Sequence, residues 1–394
     1  MVIIEPSSTP VNIRGRYLWK GDGRFFVRGV VYQPRGEQQG GGINDPISDD
    51  RILELEQNVE LFKELGINTL YIYSIDNERS HDKAMKLLEE AGIYVVAGVS
   101  TPFCCINRST PYESYNTANV SCFLRTAGMM AGYANTLGII AANSVVNHSD
   151  SLHATPVMKA VVRDLKRFLL FRNKSKGTRV LPVGYSPSSA VHINHSGFLE
   201  YLYFGYEEET IDFLALPNWG WVGANSNMHM SGWNALINRY ENFAMPAFLS
   251  EYGANTHQPR QLTESNALYS DPMTRVFSGG CIYEFADSAN NYGLVAMPGS
   301  DETRWFQKFR NTEKKVFETR TTDQGNFYIY HDFANYRAAL AGTTEYDPSW
   351  DVMERQAADR RKTNTAQMTW PWDPRYEMPG TCIDWDNVEE LVGH

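Results

Sequence analysis

No stretch of this 394-residue chain is an unbroken apolar run of the length that a membrane-crossing helix needs, so a membrane span is not expected. Runs of Lys and Arg are missing too. With a formal net charge of −10 and a pI near 5.5 the chain has nothing with which to follow a phosphate backbone, and nucleic acid is excluded as a partner. The opening Met1-Val-Ile-Ile-Glu-Pro lacks the basic start and apolar stretch of a secretion signal, and the closing residues to His394 lack a lipid-anchor tail. The expectation from these ends is a cytosolic protein, or a secreted one if processing segments have been removed. Five Asn-x-Ser/Thr sequons, at Asn107, Asn119, Asn147, Asn173 and Asn194, point the other way and carry little weight.

Cysteine is scarce and odd in number. Cys104, Cys105, Cys122, Cys281 and Cys382 contain no CxxC, and the nine histidines show no ligand spacing, so no metal and no cofactor is assigned. A bridge from Cys104 or Cys105 to Cys122 fits the spacing, but free thiols are the preferred reading. No GxGxxG or P-loop follows an apolar run, which disfavours a nucleotide-binding fold. Aromatics, in contrast, reach 13%, enough for a cleft that stacks on flat ligands as well as for a core.

Short apolar runs alternate with helical periodicity from residue 24 to about 285. Strands are expected at 25–31, 68–75, 93–98, 137–142, 180–185, 212–216, 246–250 and 280–285, with helices at 51–65, 81–91, 119–136, 155–172 and 197–207 between them. Continuous apolar strands, each followed by a helix, mean a parallel sheet covered by helices, and eight such units predict a (β/α)₈ TIM barrel. The expected division is an N-terminal segment 1–23, a barrel 24–300, and a polar C-terminal extension 301–394 wrapped over it.

In such a barrel, function sits where strands end. That rule selects Tyr32, Gln33, Tyr73, Asn143, Ser144, Tyr185, Asn218, Trp219, Trp221, Tyr252 and Tyr283 as ligand-binding candidates and Glu251 as the catalytic one. One carboxylate ringed by aromatics and amides suits sugar faces and hydroxyls. Glu284 is expected to point away by strand alternation. Asp76 and Asp287 are weak candidates for a second acid. The partner implied is an oligosaccharide or small molecule; the oligomeric state is left open.

The motifs Arg28-Gly-Val-Val-Tyr-Gln33, Asn44-Asp-Pro46, Pro182-Val-Gly-Tyr-Ser186, Ser250-Glu-Tyr-Gly253, Tyr283-Glu-Phe285, Asn290-Asn-Tyr-Gly-Leu-Val295 and His331-Asp-Phe-Ala-Asn-Tyr336 resemble glycoside hydrolase family 72, the fungal cell-wall β-1,3-glucanosyltransferases. The resemblance implies retaining chemistry, with a nucleophile Glu after strand seven and an acid/base Glu after strand four, about 5–5.5 Å apart. Glu251 matches the nucleophile. The family's Asn-Glu is Asn143-Ser144 here, and a hydroxyl is too weak an acid to protonate a leaving alkoxide. The family's strand-two Arg is Tyr71, its strand-six Tyr is Trp219, and Leu53, Ala84 and Val222 stand near positions of family cysteines.

Three readings follow: an enzyme repurposed for a non-glucan small molecule with Glu251 as general acid/base, a glucanosyltransferase with altered activity, and an inactive glucan-binding protein. A lone carboxylate, an added Trp and the loss of the Arg favour the first. No Ser-His-Asp arrangement supports Ser144 as a nucleophile.

Overall fold

The computed structural model describes residues 9–34, 42–189, 195–288, 290–298, 314–343, 352, 355 and 377–392. The sequon at Asn194, the glycines at 40–41, the first eight residues and much of 299–394 lie outside this set.

Eight parallel strands close a barrel: β4 (Val27–Val31), β5 (Thr69–Ile72), β6 (Tyr94–Gly98), β7 (Thr136–Asn143), β8 (Val183–Ser186), β9 (Phe213–Pro217), β10 (Ala247–Tyr252) and β11 (Gly279–Ile282), in sequence order around the ring. Before them, β1 (Val11–Arg14), β2 (Tyr17–Lys20) and β3 (Gly23–Phe25) form a small antiparallel sheet. The run expected as one strand at 25–31 is therefore cut near Phe26, with its first part given to this sheet. Val11, Leu18 and Phe25 pack with the barrel-interior residues Val27, Tyr94, Leu137, Phe213 and Phe248, so the sheet stoppers the barrel at the end where strands begin.

The interior is filled by layers of side chains from alternate strand positions. Gly184 leaves room for the Phe213 ring; a Cβ there would meet it at 2.3 Å. The opposite strand faces bury Val30, Leu70, Val95, Ile139, Val183, Leu214 and Leu249 against the helices. The helix Ile52–Leu65 is typical: Leu55, Val59, Phe62 and Leu65 recur at helical spacing on its buried face, and Gly66 ends it in the left-handed conformation at φ 73°.

After the barrel, β12 (Val295–Ala296), β13 (Val316–Thr322) and β14 (Gly325–Tyr330) form an antiparallel sheet leading into the helix His331–Ala341. That helix lies against the helices Ile52–Leu65 and Thr263–Leu268, and the Tyr336 hydroxyl donates to the Gly29 carbonyl at 2.7 Å.

Glu264, in the second of those helices, is 5% exposed, and burial raises its carboxyl pKa from 4.5 to about 7. The folded value lies above the unfolded one, so folding takes up the neutral form. The penalty is absent below pH 4.5, grows as pH rises, and is complete above about pH 7. Glu264→Gln is therefore expected to stabilise the protein at pH 8 by roughly 2–3 kcal/mol, with no difference at pH 4. Urea unfolding at both pH values checks this.

Candidate active site

Glu251 stands on β10, where simple alternation would turn it outward. Phe248 and Ser250 face the barrel interior: the first packs in the interior layer, and the second's hydroxyl lies 3.4 Å from that of Ser186. The residue after Ser250 should join Leu249 against the helices. Instead the pairing slips between Leu249 and Glu251, with Leu249 opposite Leu216 and Glu251 opposite Pro217, so β10 carries one extra residue. Such a bulge re-aims a side chain beside a site. The Glu251 carboxylate accepts the Tyr73 hydroxyl at 2.5 Å, from the far side of the barrel mouth.

Tyr73 is itself set in place by its neighbours. Its backbone N–H donates to Gln33 Oε1 at 3.0 Å, and Gln33 Nε2 donates to the Asn44 carbonyl at 2.5 Å. Gly98 lets the Tyr73 carbonyl come close; a Cβ there would sit 2.2 Å from its oxygen. Beneath Tyr73 lies Tyr71, its ring edge-on at 5.0 Å. Asn143, exposed at the barrel mouth, donates through Nδ2 to the Tyr71 hydroxyl at 3.3 Å.

The wall of the cleft beside Glu251 is aromatic. Trp219 packs edge-on to Tyr283 at 5.6 Å and to Tyr292 at 5.4 Å, and the two tyrosines lie 5.1 Å apart. Asn290 Nδ2 donates to the Tyr283 hydroxyl at 3.1 Å and to Glu284 Oε1 at 2.9 Å. The Asn218 backbone N–H donates to the Glu251 carbonyl at 2.8 Å, while its side-chain oxygen accepts the Trp233 indole at 2.8 Å. Asn218 thus braces the Trp219 loop.

Burial raises the Glu251 pKa above 4.5; the Tyr73 hydrogen bond works against this, and the charge of Glu284 adds to it. Among the described residues no Lys or Arg pairs with it. Tyr71, beside it, is neutral, and burial and the Glu251 charge both push its phenol pKa up.

Of the candidates chosen from sequence, Tyr73 bonds Glu251, Asn143 bonds the Tyr71 that packs on Tyr73, and Trp219 packs on Tyr283, while Gln33 and Asn218 bond the backbone of Tyr73 and Glu251. Ser144 follows directly at the end of β7, with a left-handed φ of 54°, its hydroxyl on Asn143 Oδ1 at 3.0 Å and its carbonyl accepting from Arg108 at 3.1 Å. Four candidates point elsewhere. Tyr32 lies between the Phe62 and Phe285 rings with its hydroxyl on Asn58. Tyr185 packs on Phe198, Tyr252 bonds Ser265 and Tyr336, and Trp221 packs on Trp233. Tyr32 and Tyr185 occupy the outward positions of the strand alternation, the bulge that turns Glu251 inward shifts Tyr252 outward, and the loop turns Trp221 back onto the helix Trp233–Tyr240.

Glu284 also differs from expectation. β11 ends at Ile282, so alternation does not extend to it, and its charge reaches Glu251. Asp76 is tied to Arg79 and Asp287 to Lys314, leaving neither as a second acid beside Glu251. Tyr292 was overlooked in the sequence, although it lies within the Asn290–Val295 motif. Among the described residues there is no group of three or more His, Cys, Asp or Glu able to hold a metal, and no helix long and apolar enough to cross a membrane.

A model of the Glucanosyltransferase family matches residues 1–320. The 1,3-beta-glucanosyltransferase gel1 of Aspergillus fumigatus is 40% identical over 347 residues, 87% of this chain and 72% of that protein. The 1,3-beta-glucanosyltransferase PGA4 of Candida albicans is 36% identical over 82% of this chain and 70% of its own. Among solved structures, Saccharomyces cerevisiae Gas2p in complex with laminaripentaose superposes with a TM-score of 0.78 at 26% identity, over 95% of this chain and 78% of that one. Membership with relatives named 1,3-beta-glucanosyltransferases overturns the expectation of a cytosolic protein drawn from the chain ends. By the extent of the family match and the identity to gel1, the chain belongs to the glucanosyltransferases of glycoside hydrolase family 72.

Proposed function

We propose that this family member no longer performs ordinary β-1,3-glucan transfer, and that its cleft uses Glu251 as a general acid or base on a compact ligand other than a glucan chain. The supporting observation is the state of Glu251: half-buried, hydrogen-bonded by Tyr73 and without a paired cation among the described residues, while β7 ends on Asn143-Ser144 rather than on a carboxyl. A carboxyl raised in this way exchanges a proton close to the pH at which enzymes work. A retaining nucleophile, in contrast, must be ionised to attack.

The test is the ionisation of Glu251 itself. Carbon-13 NMR of side-chain carboxyls, with Glu251→Gln to identify the signal, is expected to show a midpoint above 4.5. A midpoint at or below that value removes the acid/base role. On the small-molecule substrate, Glu251→Gln should cost about 10²–10⁴-fold in turnover, and undiminished turnover takes Glu251 out of the mechanism.

The second reading, a glucanosyltransferase of altered activity, is favoured by the gathering of Tyr73, Asn143, Trp219 and Tyr283 and by the laminaripentaose in the Gas2p structure. Under it Glu251 would attack only donors whose leaving group needs no proton. Release of fluoride from β-laminaribiosyl fluoride would select that reading. Binding of laminaripentaose with neither activity would select the inactive glucan binder.

A further inference from the structure

Arg260 is 2% exposed and carries its charge into the layer behind the aromatic wall. Its Nε donates to Asp332 Oδ2 at 2.7 Å and its backbone N–H to Asp332 Oδ1 at 3.0 Å. The rest of the guanidinium goes to backbone carbonyls of three different segments. Nη1 donates to Gly253 at 3.0 Å and to Tyr283 at 2.7 Å, and Nη2 donates to Tyr292 at 2.5 Å. Gly253 follows Glu251 by two residues. Tyr283 and Tyr292 are the rings on which Trp219 packs.

Asp332, 0% exposed, sits at the start of the helix His331–Ala341, past the last residue matched by the family model. From the same helix Asn335 Nδ2 donates to the Arg260 carbonyl at 2.7 Å. The C-terminal helix thereby holds the arginine at both ends.

We propose that Arg260, oriented by Asp332 of the C-terminal helix, is a positioning residue that fixes the Trp219–Tyr283–Tyr292 wall relative to Glu251. This rests on the reading of that cleft as the ligand site. A planar fork of five N–H donors can serve a carboxylate and three carbonyls at once; an ammonium with three donors at a single point is unable to span them. Past the end of β11 at Ile282 the backbone holds these segments by few bonds, the Tyr283 N–H to the Tyr252 carbonyl at 3.0 Å and the Glu284 N–H to the Tyr292 carbonyl at 3.5 Å, and the guanidinium adds cross-links to both tyrosines. The extension is then part of the site's construction rather than a cover over the barrel.

A merely structural ion pair and a positioning one respond differently to replacement of both partners. Arg260→Met with Asp332→Leu removes the two charges together, which often leaves stability unchanged or improved. In this double variant the unfolding temperature is expected to stay within a few degrees, while the Trp219 fluorescence, isolated by subtracting the same variant carrying Trp219→Phe, shifts to longer wavelength. Where the wild-type protein binds laminaripentaose, used as the probe, the variant should bind it about tenfold to a hundredfold more weakly, the scale of a wall displaced by an ångström. Arg260→Lys, which keeps the charge pair but loses the fork, should reproduce the spectral shift and covers the case of a double variant that fails to fold. An unchanged Trp219 spectrum in a folded variant of either kind overturns the proposal. If laminaripentaose fails to bind the wild-type protein, the glucan reading of the cleft falls, and the Trp219 spectrum alone still decides the role of Arg260.

Discussion

Incubated with laminari-oligosaccharides, this protein is expected to form longer chains at least about 10²–10⁴-fold more slowly than a family member with both carboxyls, the factor that general acid–base help contributes. The loss is built into the end of β7. In a retaining transfer the departing sugar oxygen must gain a proton and the incoming hydroxyl must lose one, and the same carboxyl does both. Ser144 supplies a hydroxyl already bonded to Asn143. Asp76 and Asp287 are committed to Arg79 and Lys314, and Glu284 is bonded by Asn290 and Ser288.

Restoring the acid alone, by Ser144→Glu, is expected to leave transfer undetectable. The left-handed backbone at residue 144, φ 54°, crowds the Cβ of Ser and Glu alike, so backbone strain is not what prevents recovery. Glu251 would remain beside a neutral Tyr71, with its carboxyl still pushed towards the protonated form, which is no nucleophile. Separation of the products on a sizing column decides: efficient elongation by the wild type would mean that another residue supplies the proton, and recovery in Ser144→Glu would count against repurposing.

The barrel was legible because its signal is repeated eight times. Apolar runs such as Asp212–Leu216 and Gly280–Phe285, bounded by helical periodicity, leave few alternatives once all eight are counted. The positions of Tyr73, Asn143 and Trp219 followed from the rule that strand ends carry function. What the rule does not contain is direction. Tyr32 and Tyr185 are also at strand ends, yet the period of two turns them outward, where they bond Asn58 and Val146, and the bulge does the same to Tyr252, which bonds Ser265. Strict use of the same period would have discarded Glu251 as well, because the bulge that brings it inward leaves no mark in the residues Leu249-Ser-Glu-Tyr252. The family motif identified it where periodicity failed. Tyr292 and Arg260 were missed for a related reason: both act from loops, and their partners lie 7 to 73 residues away, beyond any local pattern.

Removing one partner of the buried Arg260–Asp332 pair should produce the largest stability loss of any single substitution proposed for this chain. Asp332→Ala leaves a guanidinium that is 2% exposed with no counter-charge, and such a broken pair costs about 3–5 kcal/mol. For a chain of this size that is a fall of roughly 4–6 °C in unfolding temperature. The comparison that isolates burial as the cause is Asp271→Ala. Asp271 pairs with Arg275 at 2.9 Å, as good a distance, but the two side chains are 58% and 59% exposed. Water already solvates both charges there, so the expected change is under about 1 kcal/mol. The two variants delete the same carboxylate chemistry and differ in what surrounds the arginine left behind. Calorimetry of both tests the argument, and equal losses would show that enclosure of Arg260 is not what makes its carboxylate partner necessary. Asp332→Asn sharpens the result: an amide can still accept from the Arg260 backbone N–H, but it brings no charge. Its loss should therefore fall between those of the other two, nearer to Asp332→Ala because the uncompensated charge dominates the cost.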